Sequence, residues 1–285
     1  MPGSPPSRTR RDRCPGVLRP WLAEDGALVR LRLVGGRITA AGLAGLSRVA
    51  REHGDGQVHL TSRANLQLRG LPAIDGALPE EVVVALESTG LLPSRTHELV
   101  RNVMASPQSG LAGGRADLRP VADALDELLL AEPAAARLPG RFLFVLDDGR
   151  GDLVERPCDL GLVALDDAVG QARIGSEGWG PVLPLADLPG TLLSLVRCFL
   201  RRRGTGPAAP WHVDELPSDA RPLLPRDPRV PAATGPAAYG AVPGGEHVPA
   251  PRGVLDPGLI ASLVARSPEL VVTPWRGVLV PAEAR

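Results

Sequence analysis

The chain has 285 residues, 44% of them hydrophobic and 22% charged, which suffices for a packed core and excludes global disorder. Its 32 basic and 32 acidic residues cancel, so a uniformly basic nucleic-acid-binding surface is excluded. All the basic residues are arginine, which rules out mechanisms that need a lysine: a Walker-type phosphate loop, a Schiff base or a lysine general base.

The arginine count fits an Ala/Gly/Pro-rich coding bias, so it carries no function by itself. Three dispersed cysteines (Cys14, Cys158, Cys198) make no CxxC pair and no disulfide framework. That pattern points to a reduced, cytoplasmic setting. No stretch reaches about 18 apolar residues, so a membrane span is not expected. Five histidines (His53, His59, His97, His212, His247) form no HExxH-like pair, and no metal ligands are assigned.

In chain order, residues 1–13 read as a disordered tail. Ala27–Leu33 alternates apolar and basic residues and predicts a strand, closed by Gly35-Gly36. Leu43, Leu46, Val49 and Ala50 fall at helical spacing, so Thr39–Glu52 is expected as a helix capped by Thr39. Val58–Leu71 is expected as one long strand and Pro79–Ser88 as a helix with Glu80 and Glu81 in its first turn. A second unit begins near His97. It holds a strand at Leu99–Met104, a helix capped by Asp117, strands near Arg141–Leu146, Leu160–Leu165 and Gln171–Ile174, and a helix Leu192–Arg203 capped by Asp187. The Pro/Ala/Gly-dense residues 205–250 are expected as a linker. Gly253–Pro281 echoes the first unit: Gly36-Arg37-Ile38, a helix and Leu60-Thr61-Ser62-Arg63 return in outline as Gly253-Val254-Leu255, a helix and Val272-Thr273-Pro274-Trp275-Arg276.

The chemistry-bearing feature is Thr61–Arg69. As a continuous strand it would place Arg63, Asn65, Gln67 and Arg69 on one face and Ala64, Leu66 and Leu68 on the other. Two guanidiniums and two amides in a row suit a planar carboxylate-bearing ligand. The same pattern also fits the solvated face of a half-buried sheet. Arg101-Asn102 and Arg141, each near a predicted strand start, are further candidates. No carboxylate pair, Ser/His/Asp order or Cys/His pair has catalytic spacing, so no catalytic residue is assigned.

Several of these segments resemble the nitrite/sulfite reductase superfamily. Arg13-Cys14-Pro15-Gly16, Gly26–Leu33 and Leu60–Gly70 resemble its ferredoxin-like half-domain. Val100-Arg101-Asn102-Val103 with Ser106-Pro107 and Gly110, then Leu138-Pro139-Gly140-Arg141-Phe142, resemble its α/β domain. Thr273-Pro274-Trp275-Arg276 resembles the end of the second half-domain. The Cys-Pro-Gly opening, Ala-Asn-Leu-Gln-Leu-Arg-Gly and Thr-Pro-Trp-Arg look like the precorrin-3B synthase branch of cobalamin biosynthesis.

The resemblance implies an α+β fold: duplicated ferredoxin-like half-domains sharing a sheet, with one inserted nitrite/sulfite-reductase-type α/β domain. The implied boundaries are 14–92 for half-domain 1 with its following helix, 93–204 for the α/β domain, and 251–285 for a shortened half-domain 2. Residues 253–281 should dock on 14–72. It further implies a tetrapyrrole small molecule among Arg63, Arg101 and Arg141, a substrate in the synthase branch and sirohaem in the reductases. Sirohaem is not expected on the synthase reading. Sulfite reductases carry a second basic residue two positions after the first in the Leu-Pro motif; Leu143 stands there here.

A [4Fe–4S] cluster on four cysteines of a following domain is expected of the family, and its ligands have no counterparts in this sequence. The implied function is a precorrin-3B synthase-like oxidoreductase, incomplete as written. A separate chain carrying the iron–sulfur domain is then the expected partner, with neither nucleic acid nor membrane involved. The alternatives are a nitrite/sulfite reductase-like protein, a non-catalytic tetrapyrrole-binding fragment, or a product without function.

Overall fold

A computed structural model describes residue 12 and residues 14–282 except 207, 218 and 220; the expected tail, Asp12 apart, lies outside this range. The first unit comprises β1 (Trp21–Ala23), β2 (Gly26–Leu31), β3 (Arg37–Thr39), α1 (Ala40–His53), β4 (Val58–Leu60), β5 (Leu66–Leu71) and α2 (Glu80–Glu87). Thr39 caps α1 as expected, its Oγ1 accepting from Gly42 N at 3.0 Å. Leu43, Leu46, Val49 and Ala50 of α1 pack on Val29, Leu31, Leu66 and Leu68 of the sheet.

The expected single strand Val58–Leu71 is instead a hairpin. β4 and β5 pair antiparallel, His59 opposite Gln67 and Leu60 opposite Leu66. The chain reverses because Thr61 Oγ1 accepts from Arg63 N (3.3 Å) and Asn65 N (3.1 Å), while Ala64 takes a positive φ of 55°. Strand periodicity is therefore interrupted before Leu66, and Arg63 and Asn65 leave the face that carries Gln67 and Arg69.

The second unit holds β6 (Val103–Ala105), α3 (Arg119–Ala131), β7 (Phe144–Asp147), β8 (Leu160–Ala164), β9 (Val169–Ile174), β10 (Trp179–Pro184) and α4 (Leu188–Arg203). The sheet order is β10-β9-β8-β7-β6, with β6, β7 and β8 parallel and the rest antiparallel. The α3 and α4 helices cover one face, where Phe142 meets Phe144 and Phe199 at ring separations of 5.3 and 5.1 Å. One expected cap shifts and the other holds its place without a side-chain bond. Leu118 occupies the N-cap of α3, although Arg119 N still reaches Asp117 Oδ1 (2.9 Å). Asp187 sits at the N-cap of α4, makes no side-chain cap bond, and the helix starts at Leu188.

The last unit contains β11 (Gly240–Val242), β12 (Gly245–Pro249), β13 (Val254–Leu255), α5 (Pro257–Val264), β14 (Glu269–Val272) and β15 (Gly277–Pro281). Two of these strands fall inside 205–250, the segment expected as a linker. Their signal is weak because the buried residue of β12 is a histidine, His247, rather than an aliphatic side chain.

The repeat read from the sequence is structural. One sheet runs β1-β2-β5-β4-β13 and the other β11-β12-β15-β14-β3. Each half lends its third strand to its partner: β3 pairs with β14, and β13 with β4. The expected docking of 253–281 on 14–72 thus takes the form of two sheets that exchange edge strands over one common core. The turns correspond as well. Thr273 Oγ1 accepts from Gly277 N (3.2 Å) and Arg276 takes φ 60°, so Trp275 is the counterpart of Arg63.

Candidate functional site

The outer face of the first sheet, away from α1, carries Gln67 with Arg30 and His59 directly across from it on the neighbouring strands. Arg30 Nη2 lies 3.4 Å from Gln67 Oε1, and Arg30 Nε is buried without a hydrogen-bond partner. Arg69 extends the row but is occupied by Asp25 at 3.2 Å.

At the end of this face the Thr61–Asn65 turn meets the α/β unit. Arg63 Nη1 donates to the Arg141 carbonyl at 2.7 Å. Arg156 Nη2 donates to the Ser62 carbonyl. The Arg141 side chain is exposed beside them. Burial lowers the Arg63 pKa, and the like charges of Arg141 and Arg30 lower it further against Cys14 and Asp159. Burial also lowers the pKa values of Arg30 and Arg156. The guanidiniums of Arg30, Arg63 and Arg156 stay charged at neutral pH all the same. Among the described residues no ion pair joins Arg30, Arg63, Arg141 or Arg156 to a carboxylate. Gathered like charges with no paired carboxylate favour the binding of an anion, and planar guanidiniums suit carboxylates.

Two sequence-derived candidates belong to the framework instead. Asn65, 1% exposed, accepts from Leu33 N at 2.9 Å through Oδ1 and donates from Nδ2 to Asn102 Oδ1 at 3.0 Å. Asn102 Nδ2 in turn reaches the carbonyls of Gly140 (2.9 Å) and Phe142 (3.1 Å). This buried amide pair rivets the first half to the α/β unit and leaves nothing for a ligand. Arg101 is also withdrawn from the expected trio. It makes a two-pronged ion pair with Asp126 on α3, at 2.6 and 2.7 Å, with little of either side chain exposed. It lines a separate cleft with Arg37, Asp123 and Glu269. The structure therefore brings Arg63 and Arg141 together with Gln67 nearby, leaves Arg69 at the far end, and places Asn65, Asn102 and Arg101 elsewhere.

Sequence reasoning missed Arg30, Arg156, Asp159 and His212. Arg30 was signalled by the alternation in β2, whereas the other three reach the site only through long-range folding. Asp159 is buried, its carboxylate accepting from Leu143 N (2.9 Å) and Val213 N (3.0 Å). Burial pushes its pKa up to about 6 against the pull of His212, those two N–H groups and Arg63.

Asp147, Asp148 and Asp152 also gather closely. Asp147 accepts from the backbone of Gly149, Gly151 and Leu153, Asp148 holds Arg150, and Asp152 accepts from Ser106, so their oxygens are engaged in loop structure. The cysteines do not fit a [4Fe–4S] cluster. They number three where four thiolates are needed. Cys158 is wholly buried with its thiol pKa pushed up to about 12, Cys198 lies on α4, and Cys14 sits against Gly140. Among the described residues no helix is long and apolar enough to cross a membrane.

The exchanged strands and the paired turns place this fold beside known proteins. Residues 22–75 match the nitrite/sulfite reductase ferredoxin-like half domain. The resemblance read from the sequence holds over this half domain. The chain is 29% identical over 176 residues to a precorrin-3B synthase from Sinorhizobium sp, covering 59% of this chain and 36% of that protein. It is 30% identical over 142 residues to a ferredoxin–nitrite reductase from Leptolyngbya laminosa, covering 47% and 27%. The Mycobacterium tuberculosis NirA protein shares the fold at a TM-score of 0.62 and 17% identity, over 90% of this chain and 54% of that one. The chain thus spans about a third of the length of these curated relatives. Beyond the half domain, the α/β unit and the second, strand-exchanged half complete the α+β architecture implied by the resemblance.

Proposed function

We propose that this chain provides the tetrapyrrole-binding part of a precorrin-3B synthase-like oxidoreductase, with a carboxylate-rich macrocycle such as precorrin-3A as substrate. The observation that carries this reading is the cluster of Arg30, Arg63, Arg141 and Arg156, gathered where the half domain meets the α/β unit with no ion-paired carboxylate among the described residues. Each guanidinium can take a peripheral carboxylate of the macrocycle through paired N–H donors, and Gln67 can add an amide. The likeness to a precorrin-3B synthase supports the substrate class. Iron–sulfur chemistry would have to come from outside the described residues, in keeping with a partner chain that carries the cluster.

A nitrite/sulfite reductase-like activity is the second reading, favoured by the likeness to nitrite reductases. Against it stands Leu143, which occupies the second basic position of the anion-holding motif and is buried in the core. A non-catalytic tetrapyrrole-binding role is the third.

The test is titration of the chain with an octacarboxylate porphyrin, followed by fluorescence quenching. Arg63→Ala and Arg141→Ala should each weaken binding by about ten- to a hundredfold, the loss of about 1.5–3 kcal/mol for a charged hydrogen bond. Arg101→Ala should leave the affinity unchanged. Binding indifferent to Arg63 and Arg141 would sink the proposal.

A further inference from the structure

We infer that Arg252 and Arg276 form a second guanidinium anchor for the same carboxylate-bearing macrocycle, on the β13 side of the face that carries Arg30 and Gln67. The inference rests on the carboxylate-binding reading above and extends the site into the second half.

Arg252 has a φ of 56° and Arg276 a φ of 60°. Both are left-handed, a conformation that crowds the Cβ of an L-residue and that glycine adopts freely. The first half meets the same backbone demand with small residues. Gly35-Gly36-Arg37-Ile38 corresponds to Arg252-Gly253-Val254-Leu255, with φ 62° and 73° at the two glycines against 56° and 74° at Arg252 and Gly253. Ala64, with φ 55°, corresponds to Arg276. Gly35 and Ala64 are buried, whereas Arg252 and Arg276 are exposed. The fold thus accepts a small residue at both positions, and the second half holds a long cation at each. Among the described residues neither guanidinium has a hydrogen-bond or ion-pair partner. Exposed cations kept at strained backbone positions, with no partner in the chain, are placed for a ligand.

The two arginines adjoin one another and border the ligand face. A Cβ built on Gly253 would stand 3.1 Å from Arg276 Cδ and 3.6 Å from the Leu60 carbonyl oxygen. The Arg276 stem therefore passes beside the residue that leads into the Thr61–Asn65 turn. Ala250 N donates to the Arg276 carbonyl at 3.1 Å, which ties this turn to the Pro251–Gly253 segment that carries Arg252. Val254, two residues on from Arg252, stands directly across from His59, His59 from Gln67, and Gln67 from Arg30. This row crosses β13, β4, β5 and β2, and at about 4.8 Å between neighbouring strands its ends are about 14 Å apart. Arg30 stands at one end, Arg252 adjoins the other, and Arg63 sits on the turn that joins β4 to β5. Cations on separate sides of a flat face suit a planar ligand whose carboxylates radiate from its rim.

Glycine substitutions separate binding from folding. Arg252→Gly and Arg276→Gly remove a guanidinium and also relieve a left-handed residue, so each variant should melt no lower than the unaltered chain. In the octacarboxylate porphyrin titration each should bind about tenfold more weakly, and the double variant more weakly still. Arg276→Lys, which keeps the charge, should recover part of the loss. Arg51→Ala removes one exposed charge from α1, on the far side of the sheet, and should stay within about twofold at physiological salt. Porphyrin binding that Arg63→Ala weakens and the double glycine variant leaves unchanged overturns the inference while the carboxylate-binding reading stands. A loss in the glycine variants no larger than in Arg51→Ala overturns it as well, because net charge alone would then account for it. Failure of the unaltered chain to bind porphyrin sinks both.

Discussion

Asn65 and Asn102 show how little a residue's type says about its role until its partners are known. In sequence they stand beside arginines in motifs that suggest ligand binding. In the fold they satisfy one another and buried backbone groups of Leu33, Gly140 and Phe142. Removing either leaves buried donors or carbonyls unmet, so Asn65→Ala or Asn102→Ala should lower stability by about 1–3 kcal/mol in chemical denaturation. Porphyrin affinity should suffer only as far as the fold does. Asp152 gives a second residue-scale expectation. Burial pushes its pKa up to about 7, with Asp147 and Asp148 adding to the rise. Its pKa in the unfolded chain is about 3.9. Between these values the folded state holds more protons than the unfolded one, so the contribution to stability is full below about pH 4 and is lost as pH rises through 7. The melting temperature should therefore fall from pH 5.5 to 8 by this contribution, and Asp152→Asn should flatten that part of the slope. An identical slope in the variant would show that Asp152 is not the group responsible.

At the scale of elements, the exchange of β3 and β13 hangs on tight crossings. Gly36 takes φ +73°, and a Cβ there would run into the Val272 carbonyl of the opposite half. Gly36→Ala should thus destabilise by more than about 1 kcal/mol, the ordinary cost of a backbone-incompatible substitution. Slowed hydrogen exchange should be lost first at β3 and β14. The paired turns carry the functional asymmetry. Both are closed by a threonine hydroxyl, yet one presents Arg63 to the Arg141 carbonyl and the other packs Trp275 against Met104, Leu143 and Cys158. The two turns share the closing threonine and the positive φ three residues on, and differ in the side chains they project. Thr61→Ala should loosen the first turn and weaken porphyrin binding without touching Arg63 itself; an unchanged affinity would mean the turn's hydroxyl is dispensable for presenting the guanidinium.

For the molecule as a whole, the two halves are not separable. The strand β13 closes the edge beside β4, and β3 closes the edge beside β14, while Leu255, Ile260 and Leu263 share one core with Leu43 and Leu46. Deleting residues 240–282 would uncover both the edge of β4 and one face of α1. Such a shortened chain should lose cooperative thermal unfolding in calorimetry. A sharp transition retained by it would show that the first half folds alone.

The sequence by itself determined what depends on near neighbours. Thr39 announced the start of α1, helical spacing announced its buried face, and the Gly-Arg-Ile and Gly-Val-Leu echoes announced the duplication. These signals are local because capping and amphipathic packing act over a few residues. Tertiary structure alone decided the rest. A threonine-closed turn broke the apparent strand Val58–Leu71, which moved Arg63 to the junction and buried Asn65. Asp126 drew Arg101 away, through an ion pair spanning 25 positions that no periodicity encodes. The strands within 205–250 were hidden because a histidine fills their core position. Charge pairing and strand exchange are contacts between distant segments, and their free energy exists only once the chain has closed around them.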